Sequence, residues 1–155
     1  LTNPNEHIYE YAAQALQAIG VETVDIFRKA YPRATGIPRL TILQALGVLE
    51  DKKSRDYFLN AVQNTDLEIR LAGMWGLMKI TSSKDIGVLL SQSVKEKGWA
   101  RIKATAYCFE LAEKLAEKGQ KVEASKIYRK IKNSRKEKAD NYLRESADLG
   151  LSLLK

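Results

Sequence analysis

Apolar residues recur along this chain in one repeated arrangement, and nowhere in the strict alternation of a half-buried strand. Gly73, Gly76, Leu77 and Ile80 stand at i, i+3, i+4 and i+7, one stripe of an α-helix. Moving back by 31 residues gives Ile42, Ala45, Leu46 and Leu49. A further 30 back gives Ala12, Ala15, Leu16 and Ile19. A copy 32 forward holds Thr105, Cys108, Phe109 and Ala112, and one 74 forward holds Ala147, Gly150, Leu151 and Leu154. The second column is always small and the third always large. A small residue at a fixed point admits a neighbouring helix backbone, and the large one beside it fills the space between layers.

Each copy but the last is followed by a second apolar helical segment. Glu22 to Tyr31 is expected to bury Val24, Phe27 and Ala30; Ser54 to Val62 buries Phe58, Leu59 and Val62. Lys84 to Val94 buries Ile86, Leu89, Leu90 and Val94; Val122 to Ile131 buries Val122, Ile127, Tyr128 and Ile131. Thr23, Ser54 and Ser83 stand where a side-chain oxygen can cap a helix start. Gly20, Gly36, Gly98 and Gly119 mark helix ends, and Pro38 suits a first turn, where its missing N–H costs nothing. The pattern predicts an all-α chain of nine helices, four hairpins and a terminal helix, with a period near 31 that lengthens to about 42 in the last full copy.

Three helix starts add a further regularity. Asp66-Leu-Glu-Ile-Arg70 precedes Ala72-Gly73 and Gly76-Leu77, and Asp140-Asn-Tyr-Leu-Arg144 precedes Ala147 and Gly150-Leu151. Thr35-Gly-Ile-Pro-Arg39 is a looser third. This signature resembles the HEAT repeat, in particular the short HEAT-like, lyase-type kind. The likeness spans nearly the whole chain. It implies one domain over residues 1–155, with repeats near 5–34, 35–64, 65–97 and 98–138 and a half-repeat at 139–155. The implied fold is a right-handed α-α superhelix of the HEAT/armadillo type. In such repeats the acid caps the helix and the arginine pairs with a neighbouring repeat's turn. Tyr9 replaces that arginine in the first copy, and Arg101 or Lys103 lies near it in the fourth. Ala124 to Ile131 is also similar to a tetratricopeptide second helix.

The composition of the 155 residues, 45% hydrophobic and 29% charged, is that of a soluble globular chain. A single cysteine and a single histidine exclude an intrachain disulfide, a thiolate cluster and a multi-histidine metal site. No catalytic constellation, phosphate-cradling loop or zinc spacing is visible, so the chain reads as a non-enzyme without a cofactor, and a bilin-lyase activity rests on the repeat label alone. Cys108 falls in the small column and reads as a packing residue; His7 reads as a surface or first-turn residue. No membrane span or signal peptide is legible, and the compartment is not readable. The absence of an initiating Met suggests a mature form or a piece of a longer protein.

The net charge of +7 lies wholly in the second half: residues 81–155 hold 17 Lys/Arg against 10 Asp/Glu, whereas residues 1–80 hold nine of each. Its densest run is Lys126, Arg129, Lys130, Lys132, Arg135, Lys136 and Lys138. The repeat resemblance implies an interaction module that presents its second helices along a concave face. That face would carry Arg28, Lys29, Asn60, Gln63, Gln92, Lys126, Arg129 and Lys130. Trp99 either seals a turn or anchors the partner. The basic end favours an acidic protein or peptide. Binding of a nucleic-acid or phosphate backbone is the second reading. The apolar last helix, with Leu151, Leu153 and Leu154, points to continuation or end-to-end self-association.

Overall fold

A computed structural model of the chain describes residues 6–155, with Glu6, His7 and Tyr9 described by backbone only. The readings of His7 and of Tyr9 therefore concern side chains outside those described. The described residues form nine α-helices joined by short turns, several of them 3₁₀, and hold no strand. They group into two compact units, one ending at Ile80 and the other beginning at Thr81.

The first unit holds α1 (Glu6–Ile19), α2 (Val24–Ala30), α3 (Gly36–Val48), α4 (Arg55–Val62) and α5 (Leu67–Lys79). Helices α1, α3 and α5, the first helices of successive hairpins, pack side by side. Helices α2 and α4 each lie against the first helix of the next hairpin. Ile42, Ala45, Leu46, Gly73, Gly76 and Leu77 are all buried, as the stripe requires. The small column works differently from the expectation that it admits a backbone. Gly76 lies flat under the Phe58 ring, and Gly47 lies under Trp75. The close backbone approach falls one turn earlier, where a Cβ on Gly73 would lie 2.8 Å from the Phe58 carbonyl and the Val62 nitrogen. The first copy departs from the pattern. Ala15 and Ile19 are exposed, and among the described side chains of α1 the buried one is Ala13.

The second unit holds α6 (Ile86–Lys95), α7 (Gly98–Glu117), α8 (Lys121–Ser134) and α9 (Asn141–Leu153). Helix α8 packs on α6, α7 and α9, and α6 also packs on α7. The longer repeat takes the form of longer helices, 20 residues in α7 and 14 in α8. Thr105, Cys108, Ala112, Ala147 and Gly150 are buried, and Gly150 accepts the Tyr128 ring as Gly76 accepts Phe58. Gly119, at φ 76°, ends α7: the Gln120 N–H donates to the Leu115 carbonyl at 2.8 Å, the closure that a left-handed residue makes possible. Val94 and Val122, expected in the core, are exposed.

The helix starts carry three further corrections and one shared device. Thr23 and Ser54 do not cap α2 and α4: Thr23 Oγ1 donates back to the Leu16 and Gly20 carbonyls, and Ser54 Oγ donates to Asp51. Ser83 lies inside a 3₁₀ turn and makes no cap. Asp66 does cap α5, accepting from Glu68 N at 2.8 Å and Ile69 N at 3.2 Å. The three signature arginines all donate to carbonyls of the turn before their own helix. Arg39 reaches Ala34, Arg70 reaches Asn64 and Thr65, and Arg144 reaches Arg135 and Glu137. Turn carbonyls that would otherwise lack partners are satisfied in this way.

Asp140 departs from its expected capping role because its carboxylate is taken by Arg101, at 2.8 and 2.6 Å. This bidentate hydrogen bond holds the Asp140 carboxyl below its ordinary value of 3.8. A folded value below the unfolded one stabilises above about pH 4, and that stabilisation is lost as pH falls toward the folded value. Replacing Asp140 by asparagine is therefore expected to flatten the acid side of the melting-temperature profile between about pH 5 and pH 2. A variant profile as steep as the parent's would contradict the assignment.

Candidate functional site

Helices α6 and α8 present a groove of about 600 Å³ on the outer side of the second unit. From α6 it is lined by Gly87, Leu90, Ser91, Val94 and Lys95, and from α8 by Lys126 and Lys130. The α6 residues follow i, i+3, i+4, i+7 and i+8, so they form one helix face. That face is apolar at Leu90 and Val94, and Val94 is 51% exposed. Gly87 leaves open space, since a Cβ there would meet nothing within 4 Å. On α8 the two lysines are one turn apart.

The opposite face of each helix is anchored in the core. Leu89 and Ser93 are buried on α6, and Ala124, Ile127, Tyr128 and Ile131 on α8. The tie between the helices is Arg135, just past α8. Its side chain is 2% exposed. Nη2 donates to the Ser93 carbonyl at 2.9 Å and to Thr105 Oγ1 at 2.8 Å, which joins α8 to α6 and α7. Nε of the same residue is buried with no partner among the described residues. Burial, and then the neighbouring Arg101 guanidinium, lower the Arg135 pKa below the ordinary arginine value. Its place in the surface run of basic residues was a misreading. The run of cations around it gives no sign that this residue turns inward.

Electrostatics distinguish this groove from the other concavity described. Lys95, Lys126 and Lys130 border it, and the acid that faces them is Glu123, whose carboxylate lies 3.6 Å from Lys126. A smaller hollow of about 360 Å³ in the first unit mixes Arg28, Lys52 and Lys53 with Glu50 and Asp51. There two acids belong to the lining itself and Arg28 already pairs with Asp25, whereas the lining of the α6–α8 groove holds three lysines and no acid.

The remaining residues expected on a partner surface fall as follows. Lys29, Asn60, Gln63 and Arg129 are exposed. Gln92 turns inward and donates to Glu96 at 2.7 Å. Trp99 is exposed, with Lys103 Nζ 5.5 Å from its ring centroid. Lys126 and Lys130 alone among the expected residues line the groove. Gly87, Leu90, Ser91, Val94 and Lys95 were not foreseen. Spacing gave no signal for them: Ile86, Leu89, Leu90 and Val94 stand at i, i+3, i+4 and i+8, the spacing of one buried stripe.

Cys108 lies deep beside Ser93 and Arg135, and burial pushes its thiol up to about 12. The thiolate is the reactive form. Iodoacetamide is therefore expected to leave the native protein unlabelled at neutral pH and to label it fully in denaturant. Rapid native labelling, read by mass spectrometry, would show that the thiol is reachable. No helix among the described residues is long and apolar enough to cross a membrane. No family model, curated protein or solved structure matches the chain.

Proposed function

We propose that the chain is a non-catalytic interaction module of the HEAT-like class, a right-handed α-α superhelix of helical hairpins. It binds an acidic protein or peptide through the second helices of its basic half. The packing of each second helix in the first unit on the first helix of the next hairpin is consistent with that class. The observation that carries the functional reading is the α6–α8 groove, an apolar floor bordered by three lysines. Apolar side chains bound there would leave water, and carboxylates beside them would meet Lys95, Lys126 and Lys130. A phosphate backbone offers charge but nothing to cover Leu90 and Val94, which favours a peptide over nucleic acid.

Selection of peptides from a random displayed library tests this. The enriched sequences should combine Asp or Glu with Leu, Ile or Phe, and the double variant Lys126→Glu/Lys130→Glu should lose them. Enriched peptides without acids, or binding unchanged in the double variant, would contradict the proposal. Retention of duplex DNA at about 50 mM salt, lost in the same variant, would transfer the groove to the phosphate-backbone reading.

A further inference from the structure

A partner for this groove must be acidic and must carry an apolar stripe, and the chain contains one helix of that kind. On α1, Ile8, Tyr11, Ala15, Ala18 and Ile19 fall on one face and are all exposed, Tyr11 at 70% and Ile19 at 63%. Glu10 and Gln14 border that stripe and are exposed as well. Residues 1–27 hold Glu6, Glu10, Glu22 and Asp25 and no lysine or arginine, whereas the groove lies in the half that carries the whole net charge of +7. We infer that the α6–α8 groove of one copy receives the exposed face of α1 from a second copy.

The inference rests on the reading of the groove as the binding surface and names its occupant. Apolar positions at i, i+3, i+7 and i+11 along α1 match the way an amphipathic helix is laid into a groove. Leu90 and Val94 supply the floor, and Gly87 leaves room for a side chain such as Tyr11. Charge distinguishes the groove from the exposed apolar face of α9 as a seat for α1. On α9, Tyr142, Leu149 and Leu153 are exposed, but Glu145 stands among them. An acidic helix set on α9 would place carboxylate against carboxylate; set on α6 and α8 it meets three lysines. The joint uses different surfaces on the two copies, so one copy keeps a free α1 face and the other a free groove, and further copies can add.

Sedimentation of the full-length chain across a range of concentrations and salt tests this. The parent should associate with rising concentration, and added salt should weaken the association several-fold as the charges are screened. Gly87→Phe fills the groove, and Tyr11→Lys sets a lysine against lysines. Each should weaken self-association by about tenfold or more while circular dichroism and melting stay near the parent's. An equimolar mixture of the two variants retains one intact joint, so it should form a 1:1 dimer and go no further. A parent that stays monomeric throughout, or variants that associate as the parent does, would overturn the inference. So would an association dissolved by Leu153→Glu and untouched by Gly87→Phe. A monomeric parent that still selects acidic peptides through Lys126 and Lys130 removes only the occupant, whereas loss of both results removes the groove itself.

Discussion

Replacing Arg135 by alanine should lower the unfolding free energy by about 3–5 kcal/mol. The side chain fills a large buried volume, and its loss leaves a cavity where α6, α7 and α8 meet. It also removes donors from the Ser93 carbonyl and Thr105 Oγ1. Thr105 keeps its own donation to the Arg101 carbonyl, and Ser93 Oγ keeps its bond to Leu90, so the network loses its centre and not its edges. A buried guanidinium is itself costly to desolvate, and no carboxylate bonds to it directly. Methionine at the same position restores volume without the charge. Its expected cost is less than half that of alanine, measured by denaturant unfolding. Equal losses for the two variants would assign the effect to the hydrogen bonds and not to the volume. Because Arg135 ties α8 to α6, the alanine variant should also lose groove binding, whereas a surface lysine such as Lys136 should be neutral in both assays.

Leu77→Ala should cost about 2–5 kcal/mol, and Leu16→Ala less than about half of that. The two residues occupy the same column of the repeat. Leu77 is fully buried in α5, which packs against both α3 and α4. Leu16 is half-buried on α1, so its truncation removes fewer contacts and leaves a hollow that water can enter. Chemical unfolding of the two variants under one condition gives the comparison. Equal losses would mean that position in the repeat does not determine burial.

Helix number and many of the core positions were legible because a stripe that must be buried leaves a fixed spacing in the chain. Leu46, Leu77, Cys108 and Ala147 needed nothing more. Features that depend on which neighbour is present were not legible. Ala15 and Ala45 each stand between a glutamine and a leucine, yet one is exposed and the other buried. Thr23 and Ser54 have capping side chains, but nearby acceptors claim them. Arg135 reads as one cation among several, and only the arrangement of α6 and α7 around it makes it a core residue. The candidate site was half legible. Lys126 and Lys130 stood out by charge; Leu90 and Val94 were hidden among residues that looked like core, because spacing cannot distinguish a floor open to water from one covered by another helix.

Amide spectra recorded during titration with an acidic amphipathic peptide test the groove most directly. The account predicts saturable shifts concentrated at Gly87, Leu90, Val94, Lys126 and Lys130, and their loss in Gly87→Phe. Shifts spread over the basic turn at Lys136 and Lys138 with α6 silent would contradict it.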